Sequence, residues 1–274
     1  MTSMDPQHRY PVSAPDRVMT WQWVLRALTV PRPSPDGELL APVFEKARSS
    51  EWAFEDIALA TYHWGDSGPH VLLVHGWESR SAHWHRWIEA LLEAGYQVTS
   101  MDLPAHGHSG GRSTTVVQAG RAVLHIGSQL GPLHSVIGHS MGSAASLYAF
   151  AHGLRVATSV HIAGPASLVG VIERAASLAG LSIQALACLK VAFEREAQAT
   201  LDSMELDELR RGLDHPALLL HDPQDKEIPI ADAHALLARW NAASLCEVQG
   251  VGHRRILASD SAIEPAVRFL RSIG

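Results

Sequence analysis

The sequence Gly138-His139-Ser140-Met141-Gly142 forms a predicted turn between a strand and a helix. The apolar residues 135–137 precede it, and the small residues 143–151 follow it at helical spacing. Two glycines let strand and helix approach closely, and the serine between them is expected to adopt strained backbone angles. Such a turn presents the serine hydroxyl at the carboxyl edge of a sheet, directly before a helix N-terminus.

Strand-like and helix-like segments alternate on both sides of this turn. Short all-apolar runs, such as residues 71–74 and 217–220, are typical of strands buried on both faces of a parallel sheet. Because helical segments separate them, the pattern predicts an α/β fold with a mostly parallel central sheet and helices on both faces. We expect strands at residues 58–64, 71–74, 98–101, 135–137, 159–162, 217–220 and 244–248, and helices at 82–94, 115–129, 143–152, 231–240 and 263–270.

One interval breaks this alternation. Residues 166–215 contain no strand-like run, but they do contain three stretches of helical spacing. We therefore expect a helical cap, inserted between two late strands of an α/β domain that spans residues 51–274. The apolar side chains of the cap are too numerous all to belong to a core, so some of them are expected to line a pocket together with Trp77.

Residues 1–50 form a predicted N-terminal arm rich in proline. The stretch Pro31-Arg32-Pro33-Ser34-Pro35 cannot form a regular helix or a central strand. Before it, Asp16 could cap a short amphipathic helix that includes Trp23 and Leu28. The arm is expected either to pack on the core or to present this helix to a membrane surface or a second subunit.

Composition limits the classes of partner. The chain has 22 basic and 28 acidic side chains, and this net charge of −6 argues against nucleic acid as a main partner. No apolar stretch is long enough to span a bilayer, so stable membrane insertion is not expected. Only two cysteines are present, too few for a disulfide framework, and they suit a reducing cytoplasm. We expect a cytoplasmic protein with a small-molecule ligand.

A serine hydroxyl needs a base before it can attack a carbonyl carbon. The chain has 17 histidines, so position must choose among them. Gly250-Val251-Gly252-His253 follows the last predicted strand, and its two glycines would hold His253 on a short loop at the carboxyl edge of the sheet. We therefore expect His253 to be the base.

Three carboxylates, Asp222, Asp225 and Glu227, follow the strand predicted at residues 217–220 and could orient the histidine. Asp222 precedes Pro223, which restricts it to extended backbone angles. Asp225 ends the turn that Pro223 begins, where the chain folds back toward the histidine loop. Asp225 is therefore the expected acid, in the order serine, acid and histidine.

Backbone N–H groups are expected to complete the site. Met141 lies at the N-terminus of the helix after the serine, and Trp77 follows a strand end at Gly76. The amides of Trp77 and Met141 could together hold a developing negative charge on a carbonyl oxygen, forming an oxyanion hole.

These motifs together resemble the α/β-hydrolase superfamily, specifically its small serine esterases and lipase-like hydrolases with a helical cap. The resemblance covers roughly residues 52–274. It implies a Ser140–His253–Asp225 triad, with the acid four residues after His221, and an acyl-enzyme formed without cofactor or metal. One departure is Asp222, where related sequences often have glycine. The motifs that carry the resemblance are His75-Gly76-Trp77, Asp102-Leu103-Pro104-Ala105-His106-Gly107-His108-Ser109, the turn around Ser140, His221-Asp222-Pro223-Gln224-Asp225 and Gly252-His253.

Some of these residues could also serve other functions. His83 and His85, with Asp102, His106 and His108, could be read as metal ligands, but two histidines two residues apart on a helix point to different faces. A non-catalytic ligand-binding protein would often lack one of the three triad residues. An acyltransferase or thioesterase would keep all three. The expected activity is hydrolysis of a small or medium apolar acyl ester.

Overall fold

The computed structural model describes residues 20–34 and 42–273, and Asp16 lies outside these residues. This part of the chain forms eight strands and eleven α-helices. The strands are β1 (Arg48–Phe54), β2 (Ile57–Trp64), β3 (His70–Val74), β4 (Gln97–Met101), β5 (Leu133–His139), β6 (Val156–Ile162), β7 (Ala217–His221) and β8 (Ala243–Glu247). The helices are α1 (Trp21–Thr29), α2 (Pro42–Glu45), α3 (His85–Glu93), α4 (Val116–Gln129), α5 (Met141–Ala151), α6 (Leu168–Leu178), α7 (Ile183–Ala197), α8 (Leu206–Leu209), α9 (Ile230–Arg239), α10 (Gly252–Arg255) and α11 (Asp260–Ser272).

All eight strands form one sheet in the order β1-β2-β4-β3-β5-β6-β7-β8. The six strands from β4 to β8 in this order are parallel, and β2 joins them by antiparallel pairing with β4. Helices cover both faces, as the alternating pattern predicts. The predicted fold class is therefore confirmed.

The parallel strands are apolar throughout because both of their faces are covered. In β3, Leu72 and Val74 pack into the cluster beneath α4 and α5, whereas Val71 and Leu73 pack into the cluster beneath α3 and α11. Successive side chains of a strand point to opposite faces, so each face requires its own apolar set. This double burial anchors the strand ends that carry polar side chains.

The hairpin strand β1 is not predicted by the sequence pattern. It begins at Arg48, within the range assigned to the arm, and pairs with β2 from Arg48–His63 to Phe54–Ile57. Five of its first six residues are Arg, Ser, Ser, Glu and Ala, and all five are exposed at the sheet edge. An exposed edge strand needs little apolar character, so it leaves almost no periodic signal.

Between β6 and β7 the chain forms only helices, α6, α7 and α8, with short 3-10 turns. They build a third apolar cluster that includes Ile172, Leu189 and Phe193, and Val24 of helix α1 is buried in it. The N-terminal helix therefore packs on the cap helices. None of the helices in the described ranges is long and apolar enough to cross a membrane.

Candidate active site

Ser140 lies at the sharp junction between β5 and α5. Its backbone angles are φ 52° and ψ −118°, in a region that residues with a side chain rarely adopt. The Ser140 N–H donates to the carbonyl of Ile162 on the neighbouring strand at 2.8 Å, which fixes the turn against β6. A Cβ atom added at Gly142 would lie 2.2 Å from the carbonyl oxygen of Val74, so only glycine fits there. The junction thus depends on glycine for close packing, as expected.

His253 lies between Ser140 and Asp225 and is within hydrogen-bond distance of both. Its Nε2 atom is 2.9 Å from Ser140 Oγ, and its Nδ1 atom is 2.7 Å from Asp225 Oδ2. These partners assign the tautomer, since a carboxylate only accepts, so Nδ1 carries the hydrogen and Nε2 accepts from the serine. The structure therefore brings the three residues together in the predicted sequence of contacts.

Asp225 is held by more than the histidine. Its other oxygen, Oδ1, accepts hydrogen bonds from the N–H groups of Glu227 and Ile228, at 2.7 and 3.0 Å. Burial raises the pKa of Asp225, but the bonds from His253 and from these two N–H groups outweigh burial, so the pKa lies below its usual value. The carboxylate is therefore ionised at neutral pH and points at His253 in one fixed orientation.

Asp222 is equally buried but serves a different contact. Its carboxylate accepts from the N–H groups of Gln224 at 2.8 Å and Gly252 at 2.5 Å, so it joins the turn of the acid to the loop of the histidine. Burial raises the pKa of Asp222, but the hydrogen bonds from backbone donors outweigh burial, so the pKa lies below its usual value. Glu227 is half-exposed, with Oε2 4.0 Å from His253 Nε2, and it accepts from Arg254. Of the three candidates, Asp225 alone lies within hydrogen-bond distance of His253.

The amides of Trp77 and Met141 flank the serine. Met141 is the first residue of α5, and Trp77 follows Gly76, where an added Cβ would lie 3.0 Å from Ser140 Cβ. Within the described part of the chain, neither N–H group donates to a protein acceptor. Two free donors beside a hydroxyl, one at a helix N-terminus, form a site that favours negative charge.

Two cavities meet at Ser140 and Trp77. The first, called the apolar cavity, has a volume of about 220 Å³. The second, called the polar cavity, has a volume of about 710 Å³ and opens beside His253. The apolar cavity is lined mainly by side chains of the cap, α1 and α5, among them Leu28, Val116, Met141, Leu168, Ile172 and Phe193. The polar cavity is lined by charged and imidazole side chains, among them Arg32, Glu78, His83, Glu227, Arg254 and Arg255.

His139 is a residue of the site to which the sequence pattern assigns no role. Its Nε2 atom lies 2.8 Å from the carbonyl oxygen of His253, so its N–H supports the loop that carries the base. Burial, and the charge that His253 can carry, lower the pKa of His139 to about 3, so the ring is neutral. The residues beside His139 do not indicate this contact, because its partner lies 114 positions away in the sequence.

A buried chain of hydrogen bonds runs from the first turn of α5 away from the site. Ser143 Oγ lies 2.7 Å from His161 Nδ1, and His161 Nε2 lies 3.1 Å from Ser159 Oγ. Ser159 Oγ in turn lies 2.8 Å from His215 Nε2. Burial lowers the pKa of His161 to about 3, so this ring is neutral and both of its nitrogens are used. These hydrogen bonds connect α5, the helix that begins at Met141, to β6.

The buried neutral histidines predict that acid destabilises the fold. His139 and His161 have folded-state pKa values of about 3, whereas an unfolded histidine titrates near about 6.5. Their contribution to stability is therefore full above about pH 6.5 and is lost as pH falls toward about 3, by about 1.4 kcal/mol per pH unit for each histidine. Thermal melts over this range measure it. His161→Gln should reduce the pH dependence of the free energy of unfolding, because up to about one proton fewer is taken up on unfolding. A melting temperature that does not change with acidification would contradict this prediction.

The potential metal ligands have protein partners instead. His106 bonds to the carbonyl of Pro104 and accepts from the N–H of Glu78, and His83 lies 2.6 Å from Ser79 Oγ. Asp102 accepts from the N–H groups of Ser81 and His108. Among the described residues, no three His, Cys, Asp or Glu side chains form a group that could hold a metal ion.

Comparison with known proteins defines the class of this chain. Residues 69–185 match a family model described as the alpha/beta hydrolase fold. Together with the sheet order and the turn at Ser140, this match confirms the resemblance inferred from the motifs. The match covers less than half of the chain, and together with the sheet order it shows the α/β-hydrolase fold.

Particular relatives are similar in fold. A putative lipase from Acinetobacter baumannii is 20% identical with a TM-score of 0.64, covering 95% of this chain and 99% of that one. An esterase from Pyrococcus furiosus is 22% identical with a TM-score of 0.67, covering 89% of this chain and 98% of that one. A pimeloyl-[acyl-carrier protein] methyl ester esterase from Vibrio atlanticus is 44% identical over 48 residues. That match spans 18% of either protein, so less than a fifth of this curated relative is matched.

Proposed function

We propose that this protein is a serine carboxylic-ester hydrolase that acts on a small or medium apolar acyl ester. The observation that carries the proposal is the series of hydrogen bonds Asp225–His253–Ser140, located where the two cavities meet. A nucleophile, a base and an orienting carboxylate in mutual contact are what acyl transfer requires. The solved lipase and esterase with the same fold are consistent with this reading.

The proposed reaction begins at Ser140 Oγ. His253 Nε2 takes the hydroxyl proton as Oγ attacks the acyl carbon, and Asp225 stabilises the charged ring. The carbonyl oxygen becomes an oxyanion that accepts from the amides of Trp77 and Met141. His253 then gives its proton to the leaving oxygen, and the bond between acyl carbon and leaving oxygen breaks. Water repeats these steps on the acyl-enzyme and releases the acid.

The positions of the cavities suggest which part of the ester each one binds. His253 must reach the leaving oxygen, and His253 lines the polar cavity but not the apolar one. The leaving group therefore belongs in the polar cavity, and the acyl chain belongs in the apolar cavity. At about 220 Å³ the apolar cavity is smaller than the roughly 300–1,000 Å³ of typical ligand pockets, which favours a small or medium acyl chain.

The proposal is tested with a panel of p-nitrophenyl esters and acyl thioesters of graded chain length. We expect turnover of esters, with labelling of Ser140 by a fluorophosphonate located by peptide mass spectrometry. A preference for thioesters, or transfer to an added alcohol in place of water, would favour the thioesterase or acyltransferase alternative. Failure of Ser140 to label in the folded protein would favour a non-catalytic ligand-binding protein.

A further inference from the structure

We infer that residues 20–34, called here the N-terminal strap, form a wall of both cavities and limit the acyl chain that the protein accepts. The naming of the apolar cavity as the acyl site rests on the proposed function. The strap consists of helix α1 and the extended residues 30–34 that follow it.

The strap is anchored to the cap and to the start of α4. Val24 is 3% exposed and packs in the cluster that contains Ile172 and Phe193. At the end of α1, the N–H of Thr114 donates to the carbonyl oxygen of Thr29 at 2.8 Å. Apolar packing at one end and a backbone bond at the other hold the helix across the cap.

An ion pair fastens the extended part of the strap beside the serine. Arg32 Nε and Nη2 donate to the two oxygens of Glu78 at 2.8 and 2.7 Å, and the Arg32 backbone N–H donates to Oε1 at 3.2 Å. Two parallel bonds fix the orientation of the guanidinium as well as its distance. The bonds from Arg32 lower the pKa of Glu78, so the pair is charged at neutral pH. Glu78 directly follows Trp77, the proposed oxyanion donor.

The strap touches both cavities, one with each half. Ala27 and Leu28 line the apolar cavity together with Val116 and Phe193. Arg32, Pro33 and Ser34 line the polar cavity with His253. Since the cavities meet at Ser140 and Trp77, the strap passes over the boundary between the acyl chain and the leaving group. The volume of its side chains at positions 27 and 28 therefore bears directly on acyl-chain length.

Ala27→Phe tests the wall, with Gln22→Phe as the matched control because Gln22 is exposed and lines neither cavity. We expect Ala27→Phe to lower kcat/KM at least tenfold for the longest esters accepted by the wild type, through KM, while acetate esters change little. Leu28→Ala should move the preference toward longer chains. Gln22→Phe should keep the wild-type profile. An unchanged length profile in both Ala27→Phe and Leu28→Ala would overturn the inference.

Binding of product-like n-alkyl carboxylates, measured by calorimetry, separates this inference from the proposed function. Ala27→Phe should weaken binding of the longer carboxylates at least tenfold even if the wild type hydrolyses no ester. In that case the esterase proposal would fail, but the inference that the strap limits ligand length would be supported. Arg32→Gln should raise KM for long and short esters alike and leave Ser140 reactive. If Ala27→Phe binds every carboxylate with the wild-type affinity, the strap does not limit the length of the bound chain.

Discussion

Ser140→Ala is expected to lower esterase turnover by at least about three orders of magnitude while the fold stays intact. Ser140 Oγ lies 2.9 Å from His253 Nε2. An alanine side chain offers no group that could replace this hydroxyl as the nucleophile. Alanine retains the Cβ atom, so the strained turn does not become more strained. The bonds that hold the turn, such as Ser140 N–H to Ile162, come from the backbone and survive the change.

Initial rates on p-nitrophenyl esters, with circular dichroism melts, measure both halves of this expectation. Ser128→Ala is the control, because Ser128 is an exposed serine on α4 whose hydroxyl bonds only to Leu124 of the same helix. Near-wild-type turnover by a correctly folded Ser140→Ala protein would end the serine-hydrolase proposal.

Asp225→Asn is expected to lower turnover by about four orders of magnitude, with a small change in melting temperature. An asparagine side chain can present its NH2 group to His253 Nδ1, and the ring would then carry its hydrogen on Nε2, where it cannot accept the serine proton. The amide oxygen can still accept from the N–H groups of Glu227 and Ile228, so the local turn is retained.

Asp222→Asn is the matched comparison and should behave in the opposite way. Asp222 makes no contact with His253, but both of its oxygens accept from backbone donors. Asparagine would turn an NH2 group toward one of these donors, so the melting temperature should fall while most turnover remains. If Asp222→Asn proved the less active variant, Asp225 would not be the acid.

The central sheet and the residues around Ser140 could be predicted because their signals are local. Strands buried on both faces read as apolar runs, and a serine between two glycines marks a strand-to-helix turn. The position of His253 followed from two glycines after the last strand, and Asp225 from the turn at Pro223. In each case a few neighbouring residues carry the information.

The remaining features depend on contacts that are distant in sequence. Arg32 and Glu78 are 46 residues apart, and neither position alone indicates a partner. His139 bonds to the backbone of a residue 114 positions away, through an atom type that any of 17 histidines offers. The location of α1 on the cap is likewise set by apolar packing with α6 and α7, which helical periodicity cannot specify.

From the position of β8 at the margin of the sheet, we expect the histidine loop to be the first part of the site to open. In the described residues β8 pairs with β7 alone, and its five positions are exposed or half-buried, whereas β5 beneath Ser140 is paired on both sides. Elements with few buried contacts open locally at lower free energy than the whole domain. Amide hydrogens of β8 and of the loop to His253 should therefore exchange with deuterium before those of β5. On warming, activity should disappear reversibly at temperatures where the far-ultraviolet circular dichroism is still native. Equal exchange rates in β5 and β8 would instead mean that the site opens only when the domain unfolds.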